Sequence, residues 1–572
     1  MNRLANALAP RWGWLGLVLL ISFYAVLAGS SAQRKSVTVD ELGHLPSGLH
    51  YLRTGDARYA SLNPPLINLL SATPVLLLDL EKELVAPPAS NDPFSFWEVG
   101  YEFQQRHAAD YQRIFDAARV VPIGIVAALG LLAFVWARQL VPDAPNAAGL
   151  FAAGLICLSP NVLAQARLIG TDTGTAFFVA LSMWTFRAML LRPTPGATLL
   201  CGATLGLAQL TKFYALLLYP SMLGVVVGWH LLSRDPKPRL DRLLWRSAAA
   251  GCVSLLVLNT GYLWQEFGAS LSALELQSSM LLGWQASMLG SVPIPLPGAF
   301  IRALDAQWVE VGTSMPSFLL GESFQGGRWY YYLVLLAIKT PLPLMLSFGL
   351  ALGLSIARRS LPRRELLLLW TYPLLLFALL SLGQARQLGA RALLSAVPML
   401  QLWTAATLVR TGAASKRRPA ILCAVAVAVA WTAAVSLASH PDYLSYFNPL
   451  IGGSANAYRY ASDANVDIGQ DLIQLAEYLE REGMDGEPLQ LLYFGSVDPA
   501  LYGIDYQVPE KALRPGLLAV SVSLYRLRYP MLDHGALREV GPIIVEGLGP
   551  PIASIGGSIH LYRVPGKRDS DE

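Results

Sequence analysis

The 572 residues are 54% hydrophobic and only 14% charged, an imbalance that excludes a soluble multidomain protein and makes a bilayer the expected solvent. The net charge of +4 is small and its basic residues sit in short clusters between apolar runs, which argues against nucleic acid as a partner and for lipid contact with a positive-inside topology. The four cysteines (Cys157, Cys201, Cys252, Cys423) lie in apolar segments without CxxC spacing, so they read as packing residues, with no disulfide framework or zinc site.

A spanning helix needs roughly 20 mostly apolar residues, and in chain order such runs fall near 13–30, 118–137, 147–164, 173–191, 197–210, 213–232, 246–264, 330–356, 365–382, 391–409 and 420–437, predicting about eleven spans. The run at 197–210 is the shortest. The first run has a basic start, is long, and lacks a clear small-residue cleavage site, so it reads as a retained anchor and not a removed signal peptide. Placing Arg3 and Arg11 inside puts Arg234, Lys237, Arg239, Arg242, Arg358, Arg359, Arg363, Arg364, Lys416, Arg417 and Arg418 inside as well. Residues 31–117, 265–329 and the stretch from 438 are then outside.

Leu66–Leu80 is also apolar, but Pro74 interrupts it, and counting it would move the later basic clusters outside. It reads as a helix lying along the outer surface, as does Ser270–Leu304 with its Pro293, Pro295 and Pro297. In the tail, Ile468–Glu482 has the period of an amphipathic helix, and LQLLYFGS, LLAVSVSLY and SIHLYRV have the character of strands. The expected organisation is mainly α: a transmembrane bundle over 1–437 with its two outer loops, then a small extracytoplasmic α/β domain over 438–572 that ends in a disordered KRDSDE.

The first outer segment opens with Asp40-Glu41, followed by His44, His50, Tyr51 and the turn Asn63-Pro64-Pro65. Two acids at a membrane surface suit base or metal work. They also suit a helix start, with Thr38 or Asp40 as the cap, and that reading is the stronger one from these residues alone. Asp172, between the third and fourth spans, invites the same two readings. Against the bland one stand Arg167, Lys212, Arg386 and Arg391, which fall at outer helix ends against the positive-inside bias, and Lys339, which falls inside a span. Together these cations point to an anionic ligand at the outer leaflet, and a lipid phosphate fits. Trp329, Tyr330, Tyr331 and Tyr332 offer faces for stacking on a sugar, although an interfacial aromatic belt is the stronger explanation.

Six motifs carry a family resemblance. They are VDELGHLPSGLHYLRTGD with NPPL; LSPNVLAQARLIGTDTGTAFF; GLAQLTKFYAL; SFLLGESFQGGRWYYYLVLLAIKTPLPL; QLGARALLSAVP; and YFNPLIGGSANAYRYASDANVDIGQDL. In this order they resemble the polyprenyl-phosphate-dependent glycosyltransferases of the GT-C superfamily, the group of the protein O-mannosyltransferases and lipid A aminoarabinose transferases (glycosyltransferase family 39-like). The resemblance implies a GT-C bundle and an inverting displacement in which Asp40 is the base. Glu41 matches a neighbour that helps bind or orient substrate, and Asp172 matches the second outer carboxylate. Lys212 and Arg391, with Arg386, Arg167 and Lys339, would hold the carrier phosphate, and His44, Asn63, Glu322 and Tyr330 would meet substrate. A divalent metal is optional, with Asp40 and Asp172 as its ligands.

The implied partners are a polyprenyl-phosphate sugar, an acceptor outside the cytoplasm (lipid, glycan or protein) and membrane lipids, at a bacterial inner membrane. Ile468 stands where the family has tryptophan in DWGQD, and Ser395 where proline is common, which loosens the subfamily more than the reaction. Asp463, Asn465, Asp467, Gln470 and Asp471 are polar enough to contact sugar or metal, while capping of DLIQLAEYL explains them as well. The competing class is a transporter or flippase for an anionic lipid or solute, and a third is a noncatalytic assembly factor. Repeated halves and midplane sites, typical of transporters, are not evident in the sequence.

Overall fold

The computed structural model describes residues 2–57, 62–78, 80, 95–233, 239–358, 361–383, 385–415, 418–509, 513–525, 527, 529–533, 536–540, 545 and 548–565. Arg234, Lys237, Arg359, Lys416, Arg417 and the terminal KRDSDE, on which part of the topology reading rested, lie outside the described residues.

The chain is mainly helical, and every apolar run read from the sequence is largely helical, two of them as bent pairs of helices. Among the described residues seven helices are long and apolar enough to cross a membrane, or up to nine if two bent pairs each count as a span. The expectation of about eleven is therefore not met in full. Pro195–Gln209 and Val397–Ala413 are helices of 15 and 17 residues, short of the roughly 20 a straight crossing needs. The second starts late because residues 385–396 form an irregular strap, ending in a 3-10 turn, that carries Arg391.

The two bends have a common cause. Pro160 separates Pro145–Cys157 from Pro160–Ala166 by 64°, and Pro341 separates Tyr331–Lys339 from Leu342–Ala357 by 116°. Proline lacks the N–H and pushes the residue before it out of the helical region, and Ser159 and Thr340 are both extended. At the sharper bend the freed carbonyls find side-chain partners: Asn448 Nδ2 donates to Ala337 O at 2.7 Å and Thr340 O at 2.9 Å, and Asn161 Nδ2 to Lys339 O at 2.6 Å. A tail asparagine thus completes a span.

Leu66–Ala72 is a helix that continues into a 3-10 turn at Pro74, with Leu76 and Leu77 exposed. The second outer segment is short helices followed by Gly298–Gly312 and a small hairpin of Pro316–Leu319 with Glu322–Gln325. The tail has the α/β character anticipated. Leu472–Arg481 is helical, and Leu489–Leu492, Gly516–Ser521, Ile559–Val564 and Ala553–Ile555 lie side by side in that order, the first pair parallel and the others antiparallel. This sheet has its own core of Leu475, Leu491, Leu518 and Leu561. The four cysteines are free.

Candidate active site

The segment that precedes Asp40 is stitched to the tail. Ser36 N donates to Gln470 O at 3.0 Å and Val39 N to Ile468 O at 3.1 Å, while Lys35 binds Asp442 at 2.5 Å, Asp471, and Gln474 at 2.9 Å. From there the helix Val39–Thr54 begins, with Thr38 as its cap. Glu41 accepts from Thr38 N, the bond that the third residue of a capping box makes back to its cap, and from Thr38 Oγ1, both at 3.0 Å. The helix-start reading of the acidic pair therefore holds for Glu41. It leaves Asp40, one residue earlier, pointing elsewhere.

Glu41 is fully buried, and its carboxylate accepts both Arg119 Nε at 2.9 Å and Arg119 Nη2 at 2.7 Å, together with Ile169 N at 3.1 Å. A single side chain ties the first turn of Val39–Thr54 to the span Tyr111–Leu140 and to the connection that leads to Asp172. Burial alone would raise this carboxyl, and Arg119 with the two amides overcomes it and holds it below the usual range. Arg119 was not recognised in the sequence, though it too is a cation at the outer end of a span.

Asp40, Asp172, His44, Asn63, Lys212, Arg386 and Arg391 line one polar cavity of about 140 Å³. Arg391 binds Asp40, Lys212 Nζ donates to Asp172 Oδ1 at 2.7 Å, and Arg386 binds Glu310. Burial raises the Asp40 carboxyl, but Arg391 and His44 outweigh it and hold it below the usual carboxylate range. His44 is pushed down chiefly by burial. Asn63 Oδ1 is buried with no hydrogen-bond partner among the described residues, an acceptor that a ligand hydroxyl would satisfy. Asp172 sits inside the first turn of Thr171–Leu191, whose cap is Gly170, so its carboxylate is not the cap.

Other residues read from the sequence fall elsewhere. Arg167 lines neither this cavity nor the apolar one described below: it is fully buried, with none of its guanidinium nitrogens hydrogen-bonded among the described residues. Gln165 does line the cavity, and two residues further round a helical turn points the opposite way. Lys339 donates to Leu444 O at 2.9 Å and Asn465 O at 2.5 Å, so its ammonium staples the tail to the span. Glu322 is exposed and pairs with Arg328 at 3.6 Å, and Tyr330 accepts from Arg328 at 2.7 Å, both outside the two cavities. Asp471 stands at the start of Leu472–Arg481, yet its side chain turns to Lys35 and Ser558 and makes no cap bond.

Trp97, Gln307 and Glu310 also line the polar cavity and were not anticipated, since one aromatic residue and one helix of an outer loop carry no signal by themselves. For a metal, the expected donors Asp40 and Asp172 are both already salt-bridged. Among the described residues no group of three His, Cys, Asp or Glu gathers to hold an ion, so the donor set does not fit a metal centre.

Beside the polar cavity lies an apolar one of about 330 Å³, walled by Leu335, Leu344, Phe348, Leu394, Val397 and Leu400, and the two share Arg391 and Gln165.

No curated protein matches the sequence. Among solved structures, ArnT from Cupriavidus metallidurans in the apo state aligns at 14% identity over 97% of this chain and 98% of its own, with a TM-score of 0.48. The oligosaccharyltransferase AglB from Archaeoglobus fulgidus, in complex with an inhibitory peptide and a dolichol-phosphate, aligns at 12% over 94% of this chain and 75% of its own, with a TM-score of 0.49. The Pmt1-Pmt2 protein O-mannosyltransferase complex of S. cerevisiae aligns at 19% over 44% of this chain and 33% of its own, with a TM-score of 0.31. Residues 113–264 match the model of the dolichyl-phosphate-mannose-protein mannosyltransferase family. That stretch contains Arg119, Asp172 and Lys212.

Proposed function

We propose that the protein transfers a sugar from a polyprenyl-phosphate carrier to an acceptor outside the cytoplasm, with inversion at the anomeric carbon and Asp40 as general base. The observation that carries this reading is the pair of adjoining cavities, one polar and one apolar, with Arg391 where they meet. A prenyl chain suits the apolar walls, a phosphate suits Arg391 and Lys212, and a sugar suits the polar side, with Asn63, Gln307 and His44 as its hydrogen-bonding contacts. The matched family acts with a dolichyl-phosphate sugar, which is chemistry of the same kind. A transporter has no comparable support.

In the reaction the acceptor hydroxyl or amine gives its proton to Asp40 as its oxygen or nitrogen bonds to the anomeric carbon. The bond from that carbon to the phosphate oxygen breaks, and the lipid phosphate leaves with its charge matched by Arg391 and Lys212. Asp172 holds Lys212 in place, and Glu41 fixes the helix start that aims Asp40. Asp40→Asn is expected to fold and to lose about 10²–10⁴-fold in turnover, the usual contribution of a general base. Sugar release from a panel of undecaprenyl-phosphate-linked labelled sugars, measured with purified protein, reads this directly. Near-normal turnover in the variant would remove Asp40 from the mechanism.

A further inference from the structure

Asn465, in the tail, reaches across to the strap that carries Arg391. Its Oδ1 accepts the Ala390 N–H at 3.0 Å, its Nδ2 donates to the Tyr331 hydroxyl at 3.0 Å and the Ser462 carbonyl at 3.1 Å, and its own carbonyl accepts the Lys339 ammonium at 2.5 Å. The residue is 1% exposed, so water would not replace a bond that was removed. Gly389, at φ +82°, lets the two segments close: a Cβ there would stand 3.1 Å from Asn465 Oδ1 and 3.3 Å from its Cγ.

The turn that presents Asn465 is itself held in an unusual form. Asp463 has φ 57°, a left-handed conformation that is uncommon outside glycine and concentrates at functional sites. It is fixed by its own Oδ1, which accepts the Ala464 N–H at 2.7 Å, and by Ser523 of the sheet domain, whose Oγ accepts the Asp463 N–H at 3.2 Å. Ala390, the residue whose amide is captured, immediately precedes Arg391. Fixing that amide fixes the direction in which the guanidinium leaves the backbone, and a displacement of about 1 Å in such a group can cost on the order of 100-fold in rate.

We propose that Asn465 is a positioning residue for the transfer reaction, setting Arg391 between Asp40 and the carrier phosphate although Asn465 itself lines neither cavity. The inference rests on the reading of Arg391 as a phosphate ligand. The test uses the full chain in detergent with undecaprenyl phosphate as probe, comparing wild type, Asn465→Ala, Arg391→Ala and the double variant. Each single change is expected to weaken binding about tenfold, and the double variant to bind no worse than Arg391→Ala, because a residue acting only through another is non-additive with it.

Unchanged affinity in Asn465→Ala, or an equal further loss from it in the Arg391→Ala background, overturns the inference and leaves the carrier reading standing. Unchanged affinity in Arg391→Ala overturns both. Asn465→Asp retains the acceptor for Ala390 N–H in nearly the same volume and covers the case in which the alanine variant does not fold. Its expected loss is smaller and vanishes when Arg391 is absent, and a loss that persists there overturns the proposal.

Discussion

Asp40 is paired with Arg391, the cation proposed to receive the carrier phosphate. A carrier phosphate bound at Arg391 as proposed would compete with Asp40 for the guanidinium, and donor binding would then free the proposed base. The pH dependence follows. Burial favours the neutral acid, and Arg391 and His44 overcome that bias, so the carboxyl titrates below its ordinary range. A group with a depressed value is already ionised above it, and the acid limb of kcat/KM, which reports the free enzyme, is expected below the ordinary carboxylate range. In Arg391→Ala the largest opposing charge is gone and burial dominates, so the residual activity is expected to show that limb at higher pH. A pH–rate profile of the variant with its limb unmoved would mean that a group other than Asp40 titrates. At this scale the sequence was half legible. The pattern Thr38-x-x-Glu41 is a capping-box signature and marks Glu41 as structural, whereas the pairing of Asp40 with a residue 351 positions away leaves no local trace.

Helices and their connections are positioned by a few buried ion pairs. The Arg119–Glu41 pair, with both side chains fully inaccessible, joins Val39–Thr54 to Tyr111–Leu140. Arg119→Met leaves the Glu41 carboxylate buried without its partner, and removal of one member of a buried pair costs about 3–5 kcal/mol. Because Glu41 titrates below its usual range, the pair stabilises at neutral pH and its contribution is lost only as pH falls through the depressed value. Thermal unfolding in detergent at pH 7 is expected to show a lower midpoint for Arg119→Met, with much of the loss restored when Glu41→Leu is added. An unchanged midpoint would mean the pair has no structural role. The apolar runs announced these helices well, because hydropathy reads burial in lipid without needing tertiary detail. Hydropathy was blind to the bends: Pro160 and Pro341 were visible in the sequence, but the Asn448 and Asn161 side chains that make the Pro341 break tolerable come from elsewhere in the chain.

In the whole molecule the tail acts on the site from two sides. Through Ser36 and Val39 it holds the segment that leads into Asp40, and through Asn465 it holds the strap that leads into Arg391. Sequence patterns showed that a sheet domain existed, since its strands have a local signature, but not that the tail braces the segments beside the polar cavity, which depends on contacts such as that of Lys35 with Asp442 and Asp471. Lys35 is the side chain most exposed to test. It is buried with Asp471, and Lys35→Met would leave two carboxylates facing each other without their cation, a loss of about 3 kcal/mol or more. Since the spans are stabilised by their own packing in the bilayer, the damage is expected to stay local: helicity by circular dichroism unchanged, the tail newly open to limited proteolysis, and sugar transfer reduced more than tenfold by analogy with lost active-site positioning. Lys35→Arg keeps the charge and is expected to fall between the two. Full protease resistance together with full transfer in Lys35→Met would show that the tail is docked by its apolar contacts alone, and the site would then have to be regarded as the property of the bundle without help from the domain beside it.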